Sequence, residues 1–236
     1  MIDLTVEQTT QDGDHAIQQF EENYPDTGNV GQFYDGLSPE GYDEWAKRVN
    51  FNEPYFIIKE VEKIANNVEI PTVTKQSALL DVGAGTGLIG SKLSASGFDN
   101  MVACDASDRF MRAVSRLPYY TEARTLWLGR GVELFPEEFR DQFDLVTASG
   151  VFLRGHMPKE AIDDIHAALK TGGYFVTAMR SIYWQNGQAE GYKDKLDGLI
   201  AEGKFKLVQT DLHEGQNGRG RPLRPDGVHT ARLAAL

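Results

Sequence analysis

The chain has 236 residues, 41% hydrophobic and 25% charged, a balance that permits a full core in one α/β domain or two small ones. Net charge is −11, from 35 acids against 24 Lys plus Arg. That balance argues against a general nucleic-acid or membrane-surface binder, whose affinity rests on cationic side chains. No apolar run approaches the ~18 residues of a bilayer span, and the single cysteine, Cys104, excludes a disulfide within the chain.

The acidic opening MIDLTVEQTTQDGDH lacks the basic and apolar regions of a signal peptide, so a cytoplasmic location is expected. Val6, Ala16, Ile17 and Phe20 read either as part of a short amphipathic lid helix or as a frayed tail. Two Tyr-Asp pairs follow, Tyr34-Asp35 and Tyr42-Asp43, with Trp45 after them. A helix is predicted from Pro54, because Ile57, Val61, Ile64, Ala65 and Val68 recur at helical spacing and Pro suits a first turn. Residues 1–53 thus read as an extension and cap, and 54–236 as the main domain.

Strands and helices then alternate. Strands are predicted at 78–82, 101–104, 124–128, 143–148 and 174–178. Helices are predicted at 87–95, 108–116 (capped by Ser107), 158–170 and 190–201. Cys104 falls inside an apolar strand and reads as a small buried hydrophobe. Alternation of this kind predicts a parallel sheet with helices on both faces. The last two apolar segments, 205–212 and 228–236, have no helix between them and should pair as an antiparallel hairpin across the 213–227 loop. The expected architecture is therefore a Rossmann-like, doubly wound, seven-stranded α/β sheet with a C-terminal antiparallel hairpin and a helical N-terminal cap.

The most informative segment is LLDVGAGTGLIG at 79–90. An apolar strand ends in an acid, three glycines follow at alternate positions (Gly83, Gly85, Gly87), and a helix begins. Such a turn brings backbone N–H groups and a helix N-terminus against a ligand. Asp105 closes the next strand, where an acid accepts hydrogen bonds from the two hydroxyls of a ribose. Together they imply a nucleoside-bearing cofactor.

A dinucleotide fingerprint would be G-x-G-x-x-G, but the sixth position here is Leu88 and the third glycine comes one residue early. The pattern is instead acid-x-G-x-G-x-G, which fits S-adenosyl-L-methionine. Asp81 then stands where it serves the cofactor's amino group, directly or through water. An NAD(P)-dependent oxidoreductase is the rival that the displaced glycine and the terminal hairpin disfavour. A non-catalytic S-adenosylmethionine-binding regulatory domain is a further alternative.

With Asp105, FDLVTASG, LKTGGYFV and the hairpin in order, the chain resembles the class I S-adenosylmethionine-dependent methyltransferases from about residue 54 onward. It is most similar to the small methyltransferase-like proteins of the Williams–Beuren region type, through QFYDGLSPEGYDEWA, DVGAGTGLIG, CDASDRFMRAV, TLWLGRGVEL, ASGVFLRGHMP and LKTGGYFVTAMRS. The resemblance implies S-adenosylmethionine as cofactor and S-adenosylhomocysteine as product. It assigns Asp81, Gly83, Ala84, Gly85, Gly87 and Asp105 to cofactor binding. Ala106, Phe110 and Met111 fall near the adenine, with Met111 equally readable as core. No acid stands at the usual adenine position after strand three, so backbone atoms of Leu128, Gly129 and Arg130 take that role. Ser149 and Gly150 match the place where methyl group and acceptor meet. Tyr34 and Tyr42 either close over the cofactor or simply pack.

Methyl transfer from a sulfonium is an in-line displacement that requires alignment and water exclusion, with no metal. The five histidines are scattered, and no metal-ligand cluster is expected. The acceptor site should come from the loops after strands four and five. These offer Arg154 and His156, then Arg180, Tyr183 and Trp184, as substrate-binding candidates. His156, Arg180 and Ser149 are the catalytic candidates, with His156 as general base on the strength of its ordinary pKa of about 6.5. ASGV replaces the N/D-P-P-Y-type tetrapeptide after strand four. With the acidic charge, this predicts a small-molecule acceptor bearing a nucleophilic N or O, no nucleic-acid or membrane partner, and a monomer or homodimer.

Overall fold

A computed structural model describes residues 27–67, 73–214 and 227–236. Val6, Ala16, Ile17, Phe20 and Val68 lie outside the described residues, as does most of the 213–227 loop. Three helices come first: α1 (Val30–Asp35), α2 (Pro39–Arg48) and α3 (Glu53–Ala65). The alternating core follows as β1 (Leu79–Val82), α4 (Leu88–Ala95), β2 (Met101–Asp105), α5 (Asp108–Val114), β3 (Glu122–Thr125), β4 (Phe143–Ser149), α6 (Ala161–Ala168), β5 (Leu169–Arg180), α7 (Tyr192–Ala201), β6 (Phe205–His213) and β7 (Val228–Ala235).

The seven strands form one sheet in the order β3-β2-β1-β4-β5-β7-β6. The first five are parallel, and β7 runs antiparallel to both β5 and β6. All four residues of β1 are buried, as a central strand covered on both faces requires. Successive side chains alternate between the two faces. Leu79, Leu145 and Val176 pack with Ile57, Val61 and Ile64 of α3 and Ile89 and Leu93 of α4. Leu80, Val146 and Phe175 pack on the other face with Ile162 and Ile165 of α6 and Leu196 and Leu199 of α7. Ile57, Val61 and Ile64 are fully buried, and each such side chain contributes about 1.5–3 kcal/mol.

Two boundaries differ from the periodicity reading. The third strand is Glu122–Thr125 rather than 124–128, because its partner β2 ends where Thr125 meets Asp105. Residues beyond it turn into the wall of the cavity described below. The helix predicted over 158–170 begins only at Ala161, since the amides of Ala161, Ile162 and Asp163 each reach back three residues rather than four. It ends at Ala168 because Leu169 pairs with Phe143 and opens a twelve-residue strand.

The β1-to-α4 turn lies at the carboxyl edge of the sheet, next to the point where β1's neighbours run in opposite chain directions of progress, β2–β3 on one side and β4–β5 on the other. Helices α1 and α2 sit over that edge. Asp35 Oδ1 accepts from Ser107 Oγ at 2.7 Å and from the Arg109 amide at 2.9 Å, which ties α1 to the start of α5. Ser107 in turn caps α5 by accepting from the Phe110 amide at 3.1 Å. Asp43 Oδ1 accepts from Thr86 Oγ1 at 2.5 Å, which ties α2 to the glycine turn. Phe51 lies against Gly150, where an added Cβ would come within 2.5 Å of its ring.

Gly150 has φ of +61°, so alanine there meets both a left-handed backbone and the Phe51 ring. Gly150→Ala should destabilise the protein by at least about 1–2 kcal/mol in urea denaturation. An unchanged midpoint would show that neither the strain nor the contact is felt.

Candidate functional site

The chain leaves β1 through Gly83, Gly85 and Gly87, with φ of 65°, 55° and 86°. These left-handed angles suit glycine and close the turn tightly onto the start of α4. Gly83 is also sterically required, since a Cβ there would lie 2.3 Å from the Val151 side chain. At Gly85 a Cβ would meet no heavy atom within 4 Å, so this side of the turn faces open space.

That space is a cavity of about 280 Å³. Its floor is Gly83, Gly85, Asp105 and Ala106; one wall runs from Leu126 through Arg130, and the other from Ser149 through Val151 to His156, Met157 and Pro158. Tyr34, Tyr42 and Phe110 also border it. The Arg130 guanidinium carbon lies 4.2 Å from the centroid of Trp127, so an extended aromatic-cationic surface forms part of the wall.

Asp105 joins the floor to the turn. Its Oδ2 accepts from the Gly85 amide at 3.0 Å, and its Oδ1 from the Ser107 amide at 2.8 Å. Burial pushes its carboxyl above the ordinary aspartate value, while these backbone amides pull it down. A carboxylate has about four lone-pair sites, so acceptor capacity remains for a ligand hydroxyl.

Asp81 is placed differently. It is 1% exposed and does not border the cavity. Its Oδ2 accepts from Tyr120 Oη at 2.7 Å, and its Oδ1 from Thr147 Oγ1 at 2.9 Å. Tyr120 Oη also accepts from the Gly90 amide at 3.1 Å, so the acid braces β1, β4 and α4 beneath the turn. Burial pushes the Asp81 carboxyl up to about 6. Tyr120 carries no motif signal, and only the folded geometry brings it to Asp81.

His156 is altered by its surroundings. Burial brings its pKa down to about 4, not the 6.5 that recommends a general base at neutral pH. Its Nδ1 lies 3.0 Å from the Arg154 carbonyl, which fixes that nitrogen as the donor. Nε2 therefore accepts from Tyr34 Oη, 2.8 Å away. His156 is neutral at pH 7 and holds a cap hydroxyl at the cavity edge.

Ser149, at the end of β4, is 9% exposed, and its Oγ has no hydrogen-bond partner among the described residues. It borders the cavity, as do Ala106, Leu128 and Gly129. Ala84, Gly87 and Met111 do not border it, and Met111 packs in the core with Ala103, Phe110 and Val114. Arg180 and Tyr183 border a second, smaller cavity that shares Tyr34, Tyr42 and Gly150 with the first. Arg154 borders neither, although its amide donates to Tyr183 Oη at 3.3 Å. Trp184 borders neither and stacks on His229.

The cavity fits an S-adenosyl ligand on its own features: a carboxylate at the end of β2, an open glycine turn, and an orphaned hydroxyl at the end of β4. Comparison with known proteins points the same way. Residues 80–175 match the model of a methyltransferase domain. Methyltransferase-like protein 27 of Homo sapiens is 26% identical over 191 residues, 81% of this chain and 71% of that protein. A tRNA U34 carboxymethyltransferase of Cellvibrio japonicus is 26% identical over 140 residues, 57% of this chain but 39% of that enzyme. Among solved structures, the N-methyltransferase NodS of Bradyrhizobium japonicum with S-adenosylhomocysteine superposes with a TM-score of 0.52 at 16% identity, covering 77% of this chain and 86% of NodS. The [4+2]-cyclase SpnF superposes with a TM-score of 0.61 at 14% identity, covering 90% and 97%. These structural likenesses are likenesses of fold.

Asp81 generates a pH prediction. Folded Asp81 keeps its proton up to about pH 6, against 3.8 for the unperturbed group. Between those values the folded state binds more protons, so Asp81's contribution to stability is lost as pH rises through 6. Asp81→Asn removes that dependence. Relative to wild type, the variant should gain roughly 2 kcal/mol between pH 4 and pH 7 in urea denaturation of the cofactor-free protein. A pH-independent difference would refute the raised value.

Proposed function

We propose that this chain is a class I S-adenosylmethionine-dependent methyltransferase that methylates a nucleophilic N or O of a small-molecule acceptor. The observation that carries this reading is the cavity over the glycine turn, which sets Asp105 at one end and the unpartnered Ser149 hydroxyl at the other. Tyr34, Tyr42 and Phe110 border it, and at about 280 Å³ it is on the scale of a small-molecule site. The net charge of −11 supports a small molecule over a polyanion.

S-adenosylmethionine supplies an electrophilic methyl carbon and leaves as neutral S-adenosylhomocysteine. In this reading, Asp105 accepts from the ribose hydroxyls, while Ala106 and the backbone of Leu128–Gly129 flank the base. Gly85 leaves room for the amino-acid part. Asp81 acts one layer below, by holding the turn in shape. Ser149 offers a hydroxyl to the acceptor. His156 accepts from Tyr34 and so fixes the cap tyrosine over the reacting region. Tyr34, Tyr42 and Phe110 exclude water. Alignment and water exclusion of this kind supply up to ~7–11 kcal/mol of a transfer barrier.

Calorimetric titration with S-adenosylhomocysteine should show binding. Asp105→Ala should weaken it more than tenfold, as loss of a charge-assisted contact worth ~1.5–3 kcal/mol predicts. Equal affinity would remove Asp105 from the ribose site. Once a labelled-methyl screen of metabolite extracts identifies an acceptor, His156→Ala should lower turnover and leave cofactor affinity unchanged. Because His156 titrates near 4, the wild-type rate should show no step from it between pH 5 and 8. A step in that window that disappears in His156→Ala would restore the general-base assignment.

A further inference from the structure

The smaller cavity contains a group that the cofactor site does not use. Glu53 opens α3 and is 4% exposed, although it is an acid. Its Oε2 accepts from the Asn52 amide at 3.1 Å, and it forms no ion pair with any described residue. An acid in the first turn of a helix is favoured by the helix dipole, but that role is ordinarily filled in water. A buried carboxylate without a cation carries a desolvation penalty that a positive partner would offset.

The walls around it are aromatic. Trp45, Phe51 and Tyr183 border the cavity with Glu53, and Tyr34 and Tyr42 separate it from the cofactor cavity. The Tyr34 and Tyr42 rings meet edge to face at 6.0 Å, and Tyr42 and Trp45 lie 5.5 Å apart. Aromatic faces around a buried carboxylate attract a cation through the ring quadrupole as well as through charge. Arg180 also borders this cavity, but it makes no ion pair with Glu53 and has interactions of its own.

We propose that this cavity is the ammonium subsite of the acceptor, with Glu53 as counter-charge and the aromatic walls as its cage. The methyl acceptor is then a diamine or an amino alcohol, whose second N or O takes the methyl group while the ammonium held here does not react. The inference rests on the methyltransferase reading and names the substrate class within it. The cavity holds about 40 Å³, room for roughly three water-sized groups. It therefore takes an ammonium headgroup, and the rest of the acceptor extends past Tyr34 and Tyr42 toward Ser149. Glu53 is a specificity residue here. It takes no part in the transfer step.

The test uses the full chain saturated with S-adenosylhomocysteine, whose own binding is measured first. 2-Aminoethanol, a cation at neutral pH, and its uncharged carbon isostere propan-1-ol are then titrated by calorimetry, with intrinsic tryptophan fluorescence as a second readout. 2-Aminoethanol should bind at least tenfold more tightly than the isostere. Glu53→Gln, isosteric and neutral, should reduce that preference to threefold or less with S-adenosylhomocysteine affinity unchanged. Absence of S-adenosylhomocysteine binding would overturn the methyltransferase reading and this inference with it. If S-adenosylhomocysteine binds, equal affinity for the two compounds, or binding of neither at millimolar concentration, overturns the subsite alone. Full retention of the preference in Glu53→Gln overturns the role of Glu53. The wild-type comparison stands on its own if the variant fails to fold.

Discussion

Asp105 holds the site together through a single carboxylate. One oxygen accepts from the Gly85 amide and the other from the Ser107 amide, so the acid joins the glycine turn to the start of α5. The turn needs that brace. Three left-handed glycines pack no side chains of their own, and a chain with such freedom loses conformational entropy when it is held in one shape. Below the turn, Asp81 provides the second brace through Tyr120 and Thr147. One acid faces the cavity and the other faces the core. Two carboxylates that look alike in a motif therefore have separate tasks, set by burial.

The cap repeats one device twice. In each Tyr-Asp pair the aspartate anchors and the tyrosine lines. Asp35 holds the start of α5 while Tyr34 reaches His156. Asp43 holds Thr86 of the glycine turn while Tyr42 packs against Phe110. Adjacent residues on a helix point about 100° apart, so neighbouring side chains serve two different surfaces. The cap is thus pinned to the same two segments that shape the floor of the cavity. Whatever moves the turn or α5 is felt by Tyr34 and Tyr42, which stand between the two cavities.

The buried charges divide the site into regions of different chemistry. Asp105 retains hydrogen-bond capacity toward the floor, and the neutral His156 occupies its Nε2 with a cap hydroxyl. Ser149 brings a hydroxyl without a partner to the end of β4. Glu53 brings a carboxyl group to the aromatic pocket beyond Tyr34 and Tyr42. In the proposed function, Asp105 belongs to the methyl donor's place, and Ser149 and Glu53 to the acceptor's.

The alternation of strands and helices, the glycine turn and Asp105 were legible in the sequence, because each depends on local pattern: period-two and helical spacing, glycine at left-handed positions, an acid at a strand end. The terminal hairpin was legible for the same reason, since no helical segment separates its strands. The limits of β3 and α6 were not, because pairing with β2 and β4 decides where those elements stop. Nor were the burial of Asp81 under Tyr120, the lowered pKa of His156, or the placement of Glu53 on an aromatic-lined cavity. Each depends on groups far apart in the chain, 39 residues in the case of Asp81 and Tyr120 and 122 for Tyr34 and His156. Sequence alone determined the glycine turn at 83–87, the acid at the end of the neighbouring strand, and the S-adenosylmethionine cofactor that this pattern implies. Only the tertiary structure decided which side chains meet it, because protonation and pairing follow desolvation, and desolvation exists only once the chain has folded.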